Sequence, residues 1–426
     1  MKKLLILGVN TRPIVNSALK LDFEVYSSSY YATYDFNKPF NEVHILNQKS
    51  GVSCGNFEEK FSPEKLLDIS RDFLDIVDYI VLGAGISASD FKGSFRKYRG
   101  KIIGNKNIEN IEDKYRFYNK VKNKFLTPET FKIVDIDEVD EIIKNDINKQ
   151  YILKPCKGSG GYGVNLINYD SFNQFKDKIK DDENFNYVND EKEKSPKWIL
   201  QEQIKGINIS SSVLSTNHKA KTLINSRLLT LNDYNKENSY IYNGNIIPLD
   251  FKSLNILNNY TIPHDEIGVE NLNEDMSLLS EELIKYLKLI GSNGVDMILS
   301  ENSENKNILD NDIYVIEVNP RIQGTYECVE ELLKINLLNA HIKACHGEII
   351  DIPSFKGYCM KKILYSENNI KIGKFNSYNL YDLPYPNVII EKEQPVLTII
   401  NKNKNLKKLM KNIEETEKNV KNSILW

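Results

Sequence analysis

Residues 314–331, YVIEVNPRIQGTYECVEE, alternate apolar and polar side chains in a segment that begins like a buried strand. Successive side chains of a strand point to opposite faces. Glu317, Asn319 and Arg321 are therefore predicted to share one face, with the intervening apolar residues, Ile316 included, on the other. A carboxylate, an amide oxygen and a guanidinium together indicate a site for a metal ion and phosphate. The solvated face of an edge strand predicts the same alternation, so this stretch alone leaves both interpretations open.

Length and composition limit the classes of protein that remain. The chain has 426 residues, 41% of them hydrophobic, which predicts two or three folding units with sizeable cores. Its 56 basic and 59 acidic residues give a net charge of −3 without a basic cluster, which argues against nucleic-acid binding. The five cysteines form no Cys-x-x-Cys pair, and no apolar run approaches the roughly 18 residues of a membrane span. We therefore expect a cytoplasmic protein.

The first hundred residues contain three strand-like segments, KLLILGV, FEVYSSS and VDYIVLGAG, with a helical segment between the first two. Strands that alternate with helices predict a parallel sheet covered on both faces, that is, a small doubly wound domain. The first turn, GVNTRP, lacks the glycine pattern of dinucleotide-binding folds, which argues against a hydride-transferring Rossmann enzyme. Arg12 lies where such sheets bind ligands and is a candidate for holding a substrate carboxylate.

A glycine-rich loop, KGSGGYG, connects two further apolar segments. A plain hairpin needs only one or two glycines, whereas this loop can direct backbone N–H groups to phosphate oxygens and can move as a lid. It lacks the Gly-Lys-Ser/Thr ending of a Walker loop and does not open a helix. A flexible structural hairpin is the alternative. The loop residues predicted to bind phosphate are Gly158, Ser159, Gly160, Gly161 and Gly163.

Charged residues interrupt several apolar segments. Lys154 lies in YILKP beside the glycine loop, and Lys114 lies upstream in EDKYRF. Lysines are usually surface residues, but a lysine beside a phosphate loop can neutralise charge during phosphoryl transfer. Asp296 lies in the apolar segment GVDMIL. If this segment and the one containing Glu317 form an antiparallel hairpin, Asp296, Glu317 and Asn319 meet, and their oxygens suit magnesium.

In this order Lys114, Lys154 with its glycine loop, LQEQIKG, GVD and EVNPR resemble the ATP-grasp superfamily. The chain resembles in particular archaeal ATP-dependent carboxylate–amine ligases related to biotin carboxylase. The resemblance covers almost the whole chain and implies an α/β (α+β) ATP-grasp fold. The implied parts are a doubly wound preATP-grasp domain at 1–108, an ATP-grasp domain at 109–348 with a clamping lid at about 127–200, and a small strand-rich C-terminal appendage at 349–426.

The resemblance also implies ATP and Mg²⁺ as cofactors, with Mn²⁺ as an alternative metal. The residues implied to bind the nucleotide are Lys114, Lys154, the glycine loop, Gln201, Glu202, Ile204 and Asn208. The residues implied to hold the metal are Asp296, Glu317 and Asn319, and those implied to act in catalysis are Lys154 and Arg321. The Gln201 side chain is expected at the adenine amino group, with the backbones of Glu202 and Ile204 along the ring edge. Asn208 stands where many relatives have an acidic ribose ligand.

The function implied by the resemblance is that of a carboxylate–amine ligase, which forms an amide through an acyl phosphate and releases ADP and phosphate. Its partners would be a small carboxylate and an amine, without nucleic acid or membrane, and a homodimer is compatible with it. A bicarbonate-activating carboxylase and a non-catalytic ATP-binding module are the alternatives. Biotin carboxylase has an acidic residue two positions after the glutamine that matches Gln323, where this chain has Thr325. A threonine cannot act as a base near neutral pH, and Glu327 replaces it only if the chain turns early.

Overall fold

A computed structural model gives the structure of the chain. The described residues are all except 37–40, 47–50, 52–59, 159, 180–197, 235–238, 257–265, 302–311, 374, 376–378 and 426. The charged segment KDDENFNYVNDEKEKSPK and most of the expected hairpin tip SENSENKNILDND lie outside the described residues. Among the described residues, no helix is long and apolar enough to cross a membrane.

The N-terminal part forms the doubly wound sheet that its sequence predicts. Its parallel strands are β1 (Lys2–Gly8), β2 (Phe23–Tyr31), β3 (Asn41–Leu46) and β4 (Tyr79–Leu82), in the order β3-β2-β1-β4. Its helices are α1 (Arg12–Ala18), α2 (Pro63–Ile69) and α3 (Arg71–Ile76). Leu4 and Ile6 pack into one hydrophobic cluster, while Leu5 and Leu7 pack into another on the opposite face. Both faces of β1 are thus buried, which explains its unbroken apolar run.

Two short helices lead into a second, antiparallel sheet, which we call the lid sheet. The helices α4 (Glu109–Glu112) and α5 (Lys114–Val121) are separated by Asp113, whose side chain accepts from Arg116 N–H at 2.9 Å and caps α5. The lid-sheet strands are β5 (Thr130–Ile133), β6 (Tyr151–Pro155), β7 (Asn165–Ile167) and β8 (Trp198–Glu202), in the order β5-β8-β6-β7. The helices that pack on it are α6 (Ile136–Asn145) and α7 (Tyr169–Ile179).

The largest element is an eight-stranded antiparallel sheet, which we call the central sheet. Its first five strands are β9 (Gly206–Ser215), β10 (Ala220–Thr230), β11 (Tyr242–Ile247), β12 (Gly291–Ser300) and β13 (Ile313–Asn319). The helices between and after them are α8 (Phe251–Asn255), α9 (Glu266–Leu287), α10 (Tyr326–Leu333) and α11 (Leu337–Cys345). Apolar residues of α9 pack on one face of this sheet, and those of α10 and α11 pack on the other.

The C-terminal part is strand-rich as predicted, and part of it continues the central sheet. The C-terminal strands are β14 (Tyr358–Tyr365), β15 (Ile370–Ile372), β16 (Leu380–Tyr381), β17 (Ile389–Ile390), β18 (Pro395–Asn403) and β19 (Ile424–Leu425). Three of them extend the central sheet, whose order is β13-β12-β9-β10-β11-β14-β18-β16, and the other three form a small sheet. Helix α12 (Leu406–Lys421) packs on β18 and β14. The edge of β11 is hydrogen-bonded to β14, which attaches the C-terminal strands to the central sheet.

A bulge in β13 also corrects the expected alternation. Asp296 pairs with Glu317, but the next residue of β12 pairs with Val315, so Ile316 is the extra residue. Val315 and Val318 consequently both enter the core, and Ile316 faces the same cleft as Glu317. The prediction that Ile316 lies on the opposite face from Glu317 is therefore wrong.

Candidate active site

A cleft of about 560 Å³ separates the lid sheet from the central sheet. The lid side contributes Lys154, the glycine loop and Gln201, and the central-sheet side contributes β9, β12 and β13. Ala84, which follows β4 of the N-terminal sheet, also lines the cleft. Most of the residues predicted for the site thus line one cavity, whereas Gly163 and Arg12 do not.

Two lysines meet at one end of this cleft. Lys114, the first residue of α5, lies with Nζ 3.3 Å from Glu317 Oε2 and donates to Gly158 O at 2.7 Å. Lys154 lies on β6 and is only 6% exposed. Burial, reinforced by repulsion from Lys114, lowers the pKa of Lys154 to about 8, although Glu317 opposes that shift. Two cations this close indicate a site for a polyanion.

The glycine loop lies above these lysines with its backbone in left-handed conformations. The described glycines have φ values of +148° at Gly158, +74° at Gly160, +81° at Gly161 and +71° at Gly163. A Cβ at Gly161 would lie 2.0 Å from Tyr240 O, so this position excludes any side chain. Ser159 is outside the described residues, and its predicted contact with phosphate stays a prediction.

The two predicted metal carboxylates are cross-strand neighbours. Asp296 and Glu317 are paired in register, and Asn319 is paired with Gly294 two positions away. Asp296 accepts from Ser210 Oγ at 2.6 Å and from Asn319 Nδ2 at 2.8 Å. Burial and repulsion from Glu317 raise the pKa of Asp296 to about 7. Burial would also raise the pKa of Glu317, but attraction to the nearby lysines lowers it.

These donors fit a magnesium ion shared with a nucleotide. A divalent cation held by these two carboxylates would relieve the repulsion that raises the pKa of Asp296. Within the described ranges, no group of three or more His, Cys, Asp and Glu side chains is placed to hold a metal. A magnesium ion here would need phosphate oxygens and water in addition to the two carboxylates and the Asn319 amide, which is typical of Mg²⁺.

Arg321 and Gln323 follow Asn319 along the cleft wall. Arg321 NH2 donates to Asn319 Oδ1 at 3.2 Å, and NH1 donates to Ile322 O at 3.0 Å. Gln323 Oε1 accepts from the hydroxyls of Ser212 and Thr325, each at 3.1 Å. The amide carbonyl of Gln323 is thus anchored, which leaves its Nε2 group as the donor on the cleft wall.

Two supporting features of this wall were not predicted. A Cβ at Gly294 would lie 1.0 Å from Gln323 Nε2, so the glycine of the GVD motif makes room for that amide. Ser210 and Ser212 come from the segment ISSSVLS, whose alternate serines face Asp296 and Gln323. The run of small polar residues in a central strand is the sequence signal that could have indicated these serines.

At the opposite end of the cleft, the expected adenine contacts are only partly available. Gln201 accepts from Lys154 Nζ at 2.8 Å and donates to Thr130 Oγ1 at 2.9 Å, so both ends of its amide are engaged within the protein. Glu202 N–H donates to Glu129 O at 2.8 Å. In the part of the chain that the structure describes, Ile204 N–H has no acceptor, and this residue lines the cleft.

Asn208, the expected neighbour of the ribose, lies on β9 and faces the same cleft. Asn208 is half-buried, and it is paired in register with Ile298 of the neighbouring strand β12. No carboxylate replaces the acidic residue of many relatives at this position, so the contact with ribose stays a prediction.

Arg12 does not face a substrate site as the sequence suggested. It is 1% exposed, donates to Asp382 Oδ1 at 2.6 Å and to Glu327 Oε1 at 2.7 Å, and lies over the Tyr381 ring. Burial lowers the pKa of Arg12, but Asp382 and Glu327 outweigh that effect and raise it overall. Glu327 also accepts from Lys361 Nζ at 3.1 Å, so it is not placed to act as the base that Thr325 cannot provide. These ion pairs join the N-terminal part to the C-terminal strands.

Comparison with known proteins agrees with this geometry. The family model described as "ATP-grasp domain" matches residues 111–262 and 265–325, which contain the lid sheet and the cleft wall. An uncharacterized protein of Methanocaldococcus jannaschii, MJ0776, is 30% identical over 418 residues, which is 97% of this chain and 91% of that protein.

Two solved structures share the fold at low identity. The biotin carboxylase domain of the Hydrogenobacter thermophilus 2-oxoglutarate carboxylase, in complex with MgADP, ADP and bicarbonate, has a TM-score of 0.65 at 15% identity. The alignment covers 96% of this chain and 88% of that one. The N5-carboxyaminoimidazole ribonucleotide synthetase of Thermotoga maritima has a TM-score of 0.63 at 13% identity, with 98% of both chains covered.

Proposed function

This chain belongs to the ATP-grasp family, and from that premise we propose that it is an ATP-dependent carboxylate–amine ligase. In this reaction the γ-phosphoryl group of ATP passes to a carboxylate and gives an acyl phosphate and ADP. An amine then attacks the acyl carbon, the C–O bond to phosphate breaks, and an amide and inorganic phosphate are released. The observation that carries the proposal is the meeting of Lys114, Lys154 and Arg321 with a pair of carboxylates beneath a glycine loop.

The residues of the cleft divide the work of positioning and charge stabilisation. Lys114 and Lys154 bind the phosphates, and the glycine loop covers them, which keeps water from the acyl phosphate. Asp296, Glu317 and Asn319 would hold Mg²⁺, which supplies neutralising charge to the phosphate oxygens. The presence of MgADP in a structure with the same fold supports ATP and Mg²⁺ as cofactors.

Nucleotide orientation follows from the remaining polar groups. Ile204 N–H is a donor suited to a ring nitrogen of adenine, and Asn208 lies on the adjoining wall. Gln201 acts through Lys154, because its amide oxygen holds the buried ammonium group at 2.8 Å. We therefore assign Gln201 to fixing the position of Lys154 and not to direct contact with the adenine amino group.

Arg321 and Gln323, which line the cleft beyond Asn319, would donate hydrogen bonds to a substrate carboxylate and to the acyl phosphate derived from it. A guanidinium can bond a carboxylate with two parallel N–H groups, and Gln323 adds a neutral donor whose orientation is fixed by Ser212 and Thr325. The hydroxyl of Thr325 cannot remove a proton near neutral pH.

A bicarbonate-activating carboxylase is the second candidate, and the shared fold with a biotin carboxylase domain favours it. It requires a base for bicarbonate near Gln323, and neither Thr325 nor Glu327 is suited to that role. Thr325 is a hydroxyl that bonds Gln323, and Glu327 is paired with Arg12 and Lys361. A ligase does not need a base for bicarbonate at this position, so it agrees better with this arrangement.

The test is ADP formation by the purified protein with ATP and Mg²⁺, screened against pooled acids, pooled amines and bicarbonate. We expect ADP and an amide only when the right acid and amine are both present. Bicarbonate-dependent ADP formation with labelled carbon fixed into an acceptor would establish the carboxylase instead. ATP binding without turnover in any pool would point to a nucleotide-binding module.

A further inference from the structure

The glycine loop is docked against the start of β11. The backbone N–H of Tyr242, the first residue of that strand, donates to Gly160 O at 3.0 Å. The absence of a side chain at Gly161 allows the loop to approach Tyr240 O. The loop is thus attached to the central sheet and is not a free hairpin.

A tyrosine from the C-terminal part joins this contact. Tyr365, the last residue of β14, donates from its hydroxyl to Tyr242 O at 2.8 Å. Tyr365 therefore contacts the strand residue that binds Gly160. We call Tyr242 and Tyr365 the tyrosine clasp.

The clasp and Lys114 hold different ends of the loop. Lys114 Nζ binds Gly158 O at 2.7 Å, where the loop leaves β6, whereas the clasp holds Gly160. Lys114 is a phosphate ligand in the proposed reaction, so its bond to the loop competes with the nucleotide. The two clasp bonds involve neither Lys114 nor Lys154.

We propose that Tyr365 is a positioning residue, through which the C-terminal part of the chain holds the glycine loop over the nucleotide phosphates. This inference rests on the proposed function, because it takes the loop to cover a phosphoryl group during transfer. It also gives a role to the strands that extend the central sheet, since β14 is paired with β11 and thereby brings Tyr365 to the lid.

Hydrogen exchange of the Tyr242 amide, in protein without nucleotide, measures this docking directly, because that N–H is the donor to Gly160 O. Loss of one hydroxyl bond is expected to shift the docking equilibrium by about 2- to 10-fold, with a matching rise in exchange rate in Tyr365→Phe. Tyr358→Phe is the matched control on the same strand. Its hydroxyl bonds Asp250, and its loss should leave the Tyr242 amide unchanged.

Two glycine substitutions separate docking from backbone strain. Gly160→Ala and Gly161→Ala both place a side chain at positive φ, +74° and +81°. Only the second meets the Tyr240 carbonyl, at 2.0 Å, whereas the nearest atoms to the first lie 3.5 Å away. We expect a larger rise in Tyr242 exchange in Gly161→Ala than in Gly160→Ala.

In turnover, Tyr365→Phe should increase the fraction of ATP hydrolysed without amide formation several-fold, because a loosened loop admits water. Equal Tyr242 exchange in Tyr365→Phe, Gly161→Ala and the unmodified protein would overturn the clasp. The exchange measurement uses no substrate. It therefore tests the docking of the loop even if the substrate screen finds no ligase activity.

Discussion

Replacing Glu317 by Gln tests the charge arrangement of the cleft most directly. The substitution keeps the size of the side chain and removes one negative charge, which lies 3.3 Å from Lys114 Nζ. At an effective dielectric constant of about 20, two unit charges at that separation attract by about 5 kcal/mol. Even if reorganisation recovers part of this energy, a loss of about 4 kcal/mol of transition-state stabilisation remains, which is about a thousandfold in rate.

The effects on neighbouring groups follow from the same charge. Glu317 raises the pKa of Asp296 and opposes the lowering of the pKa of Lys154, so both pKa values should fall in the variant. Lys154 then carries less positive charge at neutral pH, and the remaining carboxylate binds a cation less well. ATP affinity should weaken less than turnover, because the lysines remain present.

The assay is phosphate release with ATP, excess Mg²⁺ and the substrates found by the screen, with thermal unfolding to confirm folding. Glu417→Gln is the matched control, because Glu417 is also a partly buried partner of a lysine, Lys362, at 2.6 Å, but lies far along the chain in α12. We expect near-normal turnover in the control. Turnover of Glu317→Gln within tenfold of the unmodified protein would refute the assignment of this carboxylate.

Three further outcomes are expected. For Lys154, whose pKa is lowered to about 8, the ammonium form predominates below that pH and is lost above it. The kcat/KM for ATP should therefore fall as pH rises through about 8, and Lys154→Arg should remove that dependence, which a pH–rate profile would show. Gly294→Ala should displace the Gln323 amide and raise KM for the acid at least several-fold with little change in ATP binding. Steady-state kinetics would measure the KM, and titration calorimetry would measure the affinity for ATP. Arg321→Lys should lose most of the amide-forming activity, because a point charge cannot reproduce the two-pronged guanidinium; product formation close to normal would contradict this role.

The local parts of the candidate site were accessible from the sequence. Asp296 and Glu317 lie on strands that are adjacent in the chain, so an antiparallel hairpin and side-chain alternation suffice to bring them together. The doubly wound N-terminal sheet followed in the same way from alternating apolar segments. The order of Lys114, Lys154 and the glycine loop carried the family resemblance.

What required the tertiary structure depends on contacts between distant segments. Arg12 and Asp382 are 370 positions apart, and their ion pair exists only because the C-terminal strands join the central sheet. The bulge at Ile316 and the engagement of Gln201 with Lys154 likewise depend on packing across strands. Local periodicity sets which face of an element is apolar. The choice among distant partners is made by the summed free energy of burying and pairing whole surfaces, which no short stretch of sequence contains.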